Sequence, residues 1–195
     1  HRALRLGPLD NNTYLIVCVA TREAAVVDVG FEPEAAINAV RAAYTIKNVG
    51  TLSGYGYWLD LPSSPASSSR TLGVRMAGEH SIGRGTSLLY AVEYARQHNF
   101  AGNPRRFALD YLLVEPGVTV GPVTLKAGYE RLEGDGTVGL QTPLATLHAF
   151  NGWADKFLTT PAGGLRDAYL DASWKVAAKG PLKGLALRAA WHDFR

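Results

Sequence analysis

The chain has 195 residues, enough for one substantial domain or two small ones, with a net charge of +3 and a single cysteine. So small a charge, without any run of Lys or Arg, argues against nucleic acid as a partner. One cysteine excludes an internal disulfide and a thiolate metal cluster. The mean hydropathy of −0.04 does not suit a bundle of transmembrane helices, since no stretch approaches the roughly 20 continuous apolar residues that such a helix needs.

Residues 1–41 have the pattern of an α/β segment. Thr13–Val19 and Ala24–Val29 are nearly continuous apolar runs, typical of strands covered on both faces, and Cys18 is expected to be buried in the first of them. Gly30 ends the second run. Glu32, Pro33 and Glu34 then place a proline and acids where a helix begins, so the sequence predicts a helix over about Glu34–Arg41.

After Ala42 the apolar residues recur with a period of two, which is typical of half-buried strands. The predicted strands are Ala43–Lys47, Thr51–Leu61, Leu72–Glu79, Leu88–Gln97, Phe107–Glu115, Val123–Glu130, Asp167–Val176 and Leu185–Asp193. Alternation repeated this often predicts a mainly β fold, an antiparallel meander or up-and-down barrel of about eight strands.

Strand length and loop length favour a membrane barrel over a soluble barrel or sandwich, which would alternate as well. The predicted strands run to about ten residues, the length that crosses a bilayer when tilted, whereas ordinary strands average about five or six. Short connections alternate with long ones such as Leu61–Ser69, His98–Arg106 and Leu132–Arg166. Short turns at one end and long loops at the other are the outer-membrane pattern.

The region 42–195 resembles porin-like outer-membrane barrels of the alginate-export type. The likeness is carried by LLYAVEYARQ (88–97), NPRRF (103–107) and QTPLATLHAFNGWADKFLTTPAGGL (141–165). The resemblance implies a bacterial outer-membrane location, outer-membrane lipid as surroundings, and passive diffusion or export of small polar or anionic solutes. Complete members are longer, so this region corresponds to the terminal part of such a barrel.

The region 1–41 resembles the βββα start of metallo-β-lactamase-fold hydrolases near the glyoxalase II group, on GPLDNNTYLIVC (7–18), AVVDVG (25–30) and EPEAAINAV (32–40). The metal site of that family requires an H-x-H-x-D-H cluster, because closely spaced imidazoles and a carboxylate cage the zinc. The five histidines are at least 18 residues apart, and Asp28 alone does not suffice. The sequence therefore divides into a metallo-β-lactamase-like segment (1–41) and a barrel region (42–195), with no metal, cofactor or catalytic residue predicted.

Neither a nucleophile elbow nor a phosphate-binding glycine loop is present. Asp167 and Asp171 share a strand face with Lys175, and a carboxylate pair can do acid–base chemistry, but a polar barrel interior explains them as well. Three hypotheses stay open: a porin-like barrel or a fragment of one, a metal-dependent hydrolase of the metallo-β-lactamase type, and a soluble β-barrel binding module.

If the apolar faces meet lipid, the charged residues between them face the lumen. The predicted lumen-facing residues are Arg75, Glu79, Glu93, Asp110, Lys126, Glu130, Asp171, Lys175 and Arg188. Interfacial girdles are predicted from Trp58, Tyr90, Tyr94, Tyr111, Tyr129, Trp174 and Trp191. The segment Leu140–Leu165 is too long for a simple hairpin and forms either a constriction in the lumen or an external loop.

The chain begins at His1 without the basic and apolar regions of a signal peptide, so we expect a leader to be absent or already removed. The sequence identifies neither the solute, nor the oligomeric state, nor whether the barrel closes. It also leaves open whether the junction near Arg41 reflects a natural fusion, a mis-joined reading frame or an engineered chain.

Overall fold

The computed structural model of the chain describes residues 2–6, 11–18, 23–27, 36–142, 157, 159–175 and 184–195, with side chains described from residue 37 onward. Its first three strands form a separate antiparallel sheet in the order β1-β2-β3. They are β1 (Arg2–Leu6), β2 (Asn11–Cys18) and β3 (Glu23–Val27). The side chain of Cys18 is not among those described, so its predicted burial stays a prediction. The last two residues of the predicted strand Ala24–Val29 also lie outside the described residues.

Eight longer strands form the main sheet, and each pairs antiparallel with its neighbours in chain order from β4 to β11. They are β4 (Ala36–Ile46), β5 (Gly50–Asp60), β6 (Ser69–Gly83), β7 (Thr86–Asn99), β8 (Ala108–Val120), β9 (Val123–Glu133), β10 (Gly164–Lys175) and β11 (Ala186–Phe194). The predicted mainly β meander is confirmed. Among the described residues the only helical element is a 3-10 turn at Pro65–Ser67, and no helix there is long and apolar enough to cross a membrane.

The predicted helix at Glu34–Arg41 is wrong. From Ala36 the chain is a strand that pairs with β5 along its whole length, up to Ile46 opposite Gly50. The helix-start residues lie outside the described part. Backbone pairing with a neighbouring strand overrides the helix propensity of AINAVR, because propensities of ordinary residues differ by only about 0.7 kcal/mol or less. The main sheet therefore begins before Ala42, and the division of the chain into two domains stays a prediction.

The connections separate the two ends of the main sheet. At one end the connections between β4 and β5, β6 and β7, and β8 and β9 have two or three residues, and left-handed Asn48, Arg84 and Gly121 make tight turns there. The fourth connection at this end, between β10 and β11, has ten residues (176–185), most of them outside the described part. At the other end the chain takes long connections over 61–68, 100–107 and 134–163. We call these the short-turn end and the long-loop end. Strands of 9 to 15 residues lie between them.

Strand register divides the main sheet into two chemically different faces. Directly opposed residues of an antiparallel pair lie on the same face. One row across the sheet runs through Arg75, Glu93, Leu113, Glu130, Asp167 and Phe194. We call this side the charged face. The opposite side, which carries Leu72, Val74, Leu125, Leu170, Leu187 and Trp191 at 46–59% exposure, is the apolar face.

Burial follows the same division. Apart from Gly56, every buried residue in the described strands lies on the charged face, including Ala91, Ala95 and Leu109. A small core lies at the long-loop end, where Val138 and Leu140 of the connection between β9 and β10 pack on Phe107, Leu109, Leu132 and Leu165. The charged face is therefore the sheltered side of the sheet, and part of a long connection covers one end of it.

Candidate functional site

The middle of the charged face holds two matched sets of contacts around Glu93 and Glu115. Arg75 Nη1 lies 2.6 Å from Glu93 Oε2, and the Tyr55 hydroxyl donates to Oε1 of the same carboxylate at 2.5 Å. On the other side, Lys126 Nζ lies 2.8 Å from Glu115 Oε1, and the Tyr169 hydroxyl donates to Oε2 at 2.6 Å. Each carboxylate is thus held by one cation and one phenol.

Glycines allow both tyrosines to reach two strands across the sheet. A Cβ on Gly73 would lie 2.3 Å from Tyr55 Cζ, and a Cβ on Gly128 would lie 2.0 Å from Tyr169 Cζ. Gly73 is the direct neighbour of Tyr55, and Gly128 is the direct neighbour of Tyr169. Each ring therefore lies flat over a bare backbone, so its hydroxyl extends to the strand beyond.

Three further contacts extend the network toward β11. The Tyr111 hydroxyl donates to Glu130 Oε1 at 2.6 Å, and His192 Nδ1 lies 2.8 Å from Asp167 Oδ2. Asp171 forms an ion pair with Arg188 across the strand pair β10 and β11. His192 stacks between Tyr169 and Phe194 at ring distances of 5.3 and 5.4 Å. Acidic residues of the charged face are thus paired with basic residues or tyrosine hydroxyls at several positions along the strands.

Eight of the nine residues predicted to face a lumen share the charged face. The register places there Arg75, Glu79, Glu93, Lys126, Glu130, Asp171, Lys175 and Arg188. The structure brings together Arg75 with Glu93, and Asp171 with Arg188, as ion pairs. That this face lines a lumen stays a prediction.

Asp110 is the exception, and its predicted orientation is wrong. It lies opposite Arg96 on the apolar face, 3.3 Å from the Arg96 guanidinium and 2.9 Å from the Tyr94 hydroxyl, near the long-loop end. The sequence of β8 alternates Leu109, Tyr111 and Leu113 with Asp110, which suggests that the apolar set faces outward. Pairing with Glu93 and Glu130 puts that set on the charged face instead.

Two residues of the charged face, Arg41 and Glu115, are absent from the lumen-facing set predicted from the sequence. Arg41 donates from Nη2 to Ser53 Oγ at 3.0 Å, but its segment was predicted as helix. Glu115 was left out because the phase of β8 was reversed. A period of two starting at Ile37 was the available signal for Arg41, since Ile37, Ala39 and Arg41 alternate with exposed Val40.

Six of the seven residues predicted to form girdles lie on the apolar face, at different distances from the strand ends. Trp58, Tyr129 and Trp191 lie within four residues of the long-loop end, whereas Tyr90 and Trp174 lie as near the short-turn end. Tyr94 is on the same face, closer to the middle. Tyr111 is wrongly assigned to a girdle, because it lies on the charged face with its hydroxyl on Glu130. The grouping of these residues into two interfacial bands stays a prediction.

The described residues contain no group of three or more His, Cys, Asp or Glu side chains arranged to hold a metal ion. Of the segment Leu140–Leu165, the two end residues lie in the core at the long-loop end, while 143–156 and 158 lie outside the described residues. The charged face therefore presents ion pairs and tyrosine–carboxylate hydrogen bonds on the more buried side of the sheet.

Comparison with solved structures identifies porins as structural neighbours of this chain. OccAB2 of Acinetobacter baumannii superposes with a TM-score of 0.53 at 14% identity, covering 94% of this chain and 53% of that one. OpdL of Pseudomonas aeruginosa gives 0.50 at 17% identity, covering 82% and 54%. No protein-family model and no curated protein matches.

The chain therefore has a porin-like antiparallel β fold, and it spans about half the length of the porin structures it matches. Likeness at this identity establishes the fold alone. Neither the alginate-export type nor the metallo-β-lactamase-like start is supported by these matches.

Proposed function

We propose that the main sheet forms part of the wall of a bacterial outer-membrane channel, which passes small polar solutes by passive diffusion and performs no catalysis. The observation that carries this proposal is the division of the sheet into an exposed apolar face and a face of paired charges. Lipid cannot satisfy charges, so only the apolar face suits the bilayer.

A soluble binding module is the alternative that this division argues against. A soluble barrel buries its apolar side chains and exposes its charges. Here the large residues Leu72, Leu170 and Trp191 are more than half exposed, whereas Asp167 and Asp171 are buried. Large exposed apolar surfaces mark contact with a membrane or a partner.

Closure of the channel requires partners for both edges of the sheet. Among the described residues, β4 pairs with β5 alone and β11 with β10 alone. An unpaired strand edge is not tolerated in the hydrocarbon region, because its N–H and C=O groups find no water there. The two resemblances found in the sequence, to alginate-export porins and to a metallo-β-lactamase-like start, stay hypotheses about the wider protein.

Reconstitution tests the proposal directly. The protein is placed in phospholipid vesicles, and the release of trapped polar solutes of increasing size is followed, with empty vesicles as the control. Once both edges of the sheet are paired, we expect release of small solutes and retention of large ones, because a closed barrel lumen limits passage by size. A protein that is monodisperse in water without detergent and releases no solute would refute the proposal.

A further inference from the structure

Three arginines lie side by side on neighbouring strands of the apolar face, at the long-loop end. Arg131 on β9 lies directly opposite Arg166 on β10, and Arg166 exchanges both backbone hydrogen bonds, at 2.8 and 2.9 Å, with Arg195 after β11. Arg131 also lies opposite Leu112, which places the row on the apolar face. Like charges directly opposite one another destabilise a sheet, so the fold itself does not account for this row.

The same arginines line a cavity of about 310 Å³ between the ends of β9 and β10. Gly134, Gly163 and Gly164 form part of its wall and leave it without side chains on that side. The cavity is large enough for a phosphate group and its first substituents, and its lining includes the three arginines and one acidic residue, Glu133.

Acidic residues offset only part of this charge. Glu133 lies 2.7 Å from Arg131 Nη2, and Asp193 lies 2.8 Å from Arg195 Nη2. Arg166 makes no ion pair within the described residues, and its side chain is exposed. Guanidinium groups bind phosphate through two parallel hydrogen bonds, so the row suits a phosphate oxyanion better than a simple halide.

Apolar side chains continue from the row toward the short-turn end. Leu170 lies four residues beyond Arg166 on β10 and directly opposite Trp191 on β11, and these two side chains are 57% and 59% exposed. A ligand seated on the arginines would therefore lie with the rest of its length against an apolar surface. That combination fits an anionic lipid better than a free anion.

We propose that Arg131, Arg166 and Arg195 bind the phosphorylated headgroup of a lipid in the outer leaflet, with its acyl chains along Leu170 and Trp191. This inference rests on the proposed outer-membrane location, in which the long loops lie outside the cell. The chemical class of ligand is a phosphate monoester on a membrane glycolipid, and the site serves attachment and orientation of the wall rather than transport.

The test uses the whole chain in neutral detergent micelles, with bisphosphorylated lipid A as the probe and native mass spectrometry to count bound lipid. Arg166→Gln/Arg195→Gln should bind the probe at least about tenfold more weakly, because two charge-assisted contacts are lost. Arg166→Lys should retain part of the binding, since lysine keeps the charge without the fork. Arg84→Gln, at the exposed short-turn end, is the matched control and should bind as the unmodified chain does.

Three results would overturn the inference. The first is that the double variant binds lipid A as tightly as the unmodified chain does. The second is that the unmodified chain binds fully dephosphorylated lipid A as tightly as the bisphosphorylated probe. The third is displacement of the probe by equimolar inorganic phosphate, which would indicate a site for soluble anions. Flotation with phosphatidylcholine vesicles distinguishes failure of the lipid-binding inference from failure of the proposed function. If the unmodified chain does not insert into these vesicles, the membrane location is refuted. If it inserts but does not bind lipid A, only the arginine site is refuted.

Discussion

The pairing of tyrosine with glycine across neighbouring strands sets the geometry of the charged face at the residue scale. Tyr169 lies over Gly128 and holds Glu115, while Tyr55 lies over Gly73 and holds Glu93. Neither contact follows from alternation along one strand, because each depends on which strands become neighbours. The sequence therefore indicated charged and aromatic residues on this sheet without indicating their partners.

Replacing Gly128 with valine should displace the Tyr169 ring and release its hydroxyl from Glu115. Overpacking of this kind costs about 1–3 kcal/mol. Gly54→Val is the matched control, because a Cβ there meets nothing within 4 Å, on the apolar face. Thermal unfolding in detergent should show a lower midpoint for Gly128→Val only. Equal midpoints for the two variants would show that the Tyr169 ring does not pack over Gly128.

Removing the carboxylate of Glu115 should make the wall more attractive to anions, since Lys126 then loses its partner at 2.8 Å. A unit charge about 4 Å away contributes about 1 kcal/mol in water, enough for a several-fold change in local anion concentration. The reversal potential of Glu115→Gln in a salt gradient should shift toward anion selectivity, and Glu115→Gln/Lys126→Met should shift it back. An unchanged potential would place this pair away from the solute path.

Asp135 lies in the connection between β9 and β10 at the long-loop end and gives a prediction about pH. Its Oδ1 accepts backbone N–H bonds from Val138 and Thr137 at 2.8 Å, and these bonds lower the pKa of its carboxyl group. Because the folded pKa lies below the unfolded one, the stabilisation is present above about pH 4 and is lost as pH falls through the folded value.

The amide protection factors of Thr137 and Val138 should therefore fall on acidification. Asp135→Ala should lower them already at neutral pH, because the acceptor is gone. Asp135→Asn, which keeps an acceptor oxygen, should retain part of the protection and lose its pH dependence. Protection in Asp135→Ala equal to that of the unmodified chain would mean that the carboxylate does not hold this loop.

At the scale of elements, a period of two located seven of the eight strands of the main sheet, because a half-buried strand alternates apolar and polar residues. It failed for β4, where Pro33 and two glutamates suggested a helix start, and it gave the wrong phase for β8. Both strands have apolar residues on both faces, so the pattern within each strand leaves its orientation open. Only pairing with β5, β7 and β9 fixes it.

The edge strands give a prediction at this scale. In a bilayer, the backbone groups of β4 and β11 that face away from β5 and β10 require hydrogen-bond partners. Hydrogen exchange in vesicles should therefore be slow along both edge strands, as slow as in central β7. Rapid exchange at alternate amides of β4 would mean that this edge is open to water and that no closed wall forms.

At the scale of the whole molecule, the proposed membrane location requires that the apolar face of the sheet meets lipid. An arginine or lysine near the middle of a bilayer costs about 2–4 kcal/mol on the lipid side. Val74 and Arg75 are adjacent on β6 and lie on opposite faces, as do Leu125 and Lys126 on β9. These two neighbour pairs decide the orientation without any knowledge of the solute.

The most direct measurement is labelling of single cysteines in membranes with a charged, membrane-impermeant thiol reagent, after Cys18→Ser. Arg75→Cys and Lys126→Cys should react, because they face water in the lumen, whereas Val74→Cys and Leu125→Cys should be spared by the surrounding lipid. The opposite pattern would contradict the account and indicate a soluble sheet with a dry apolar side. Equal labelling of all four would show that the sheet does not enclose a water-filled channel.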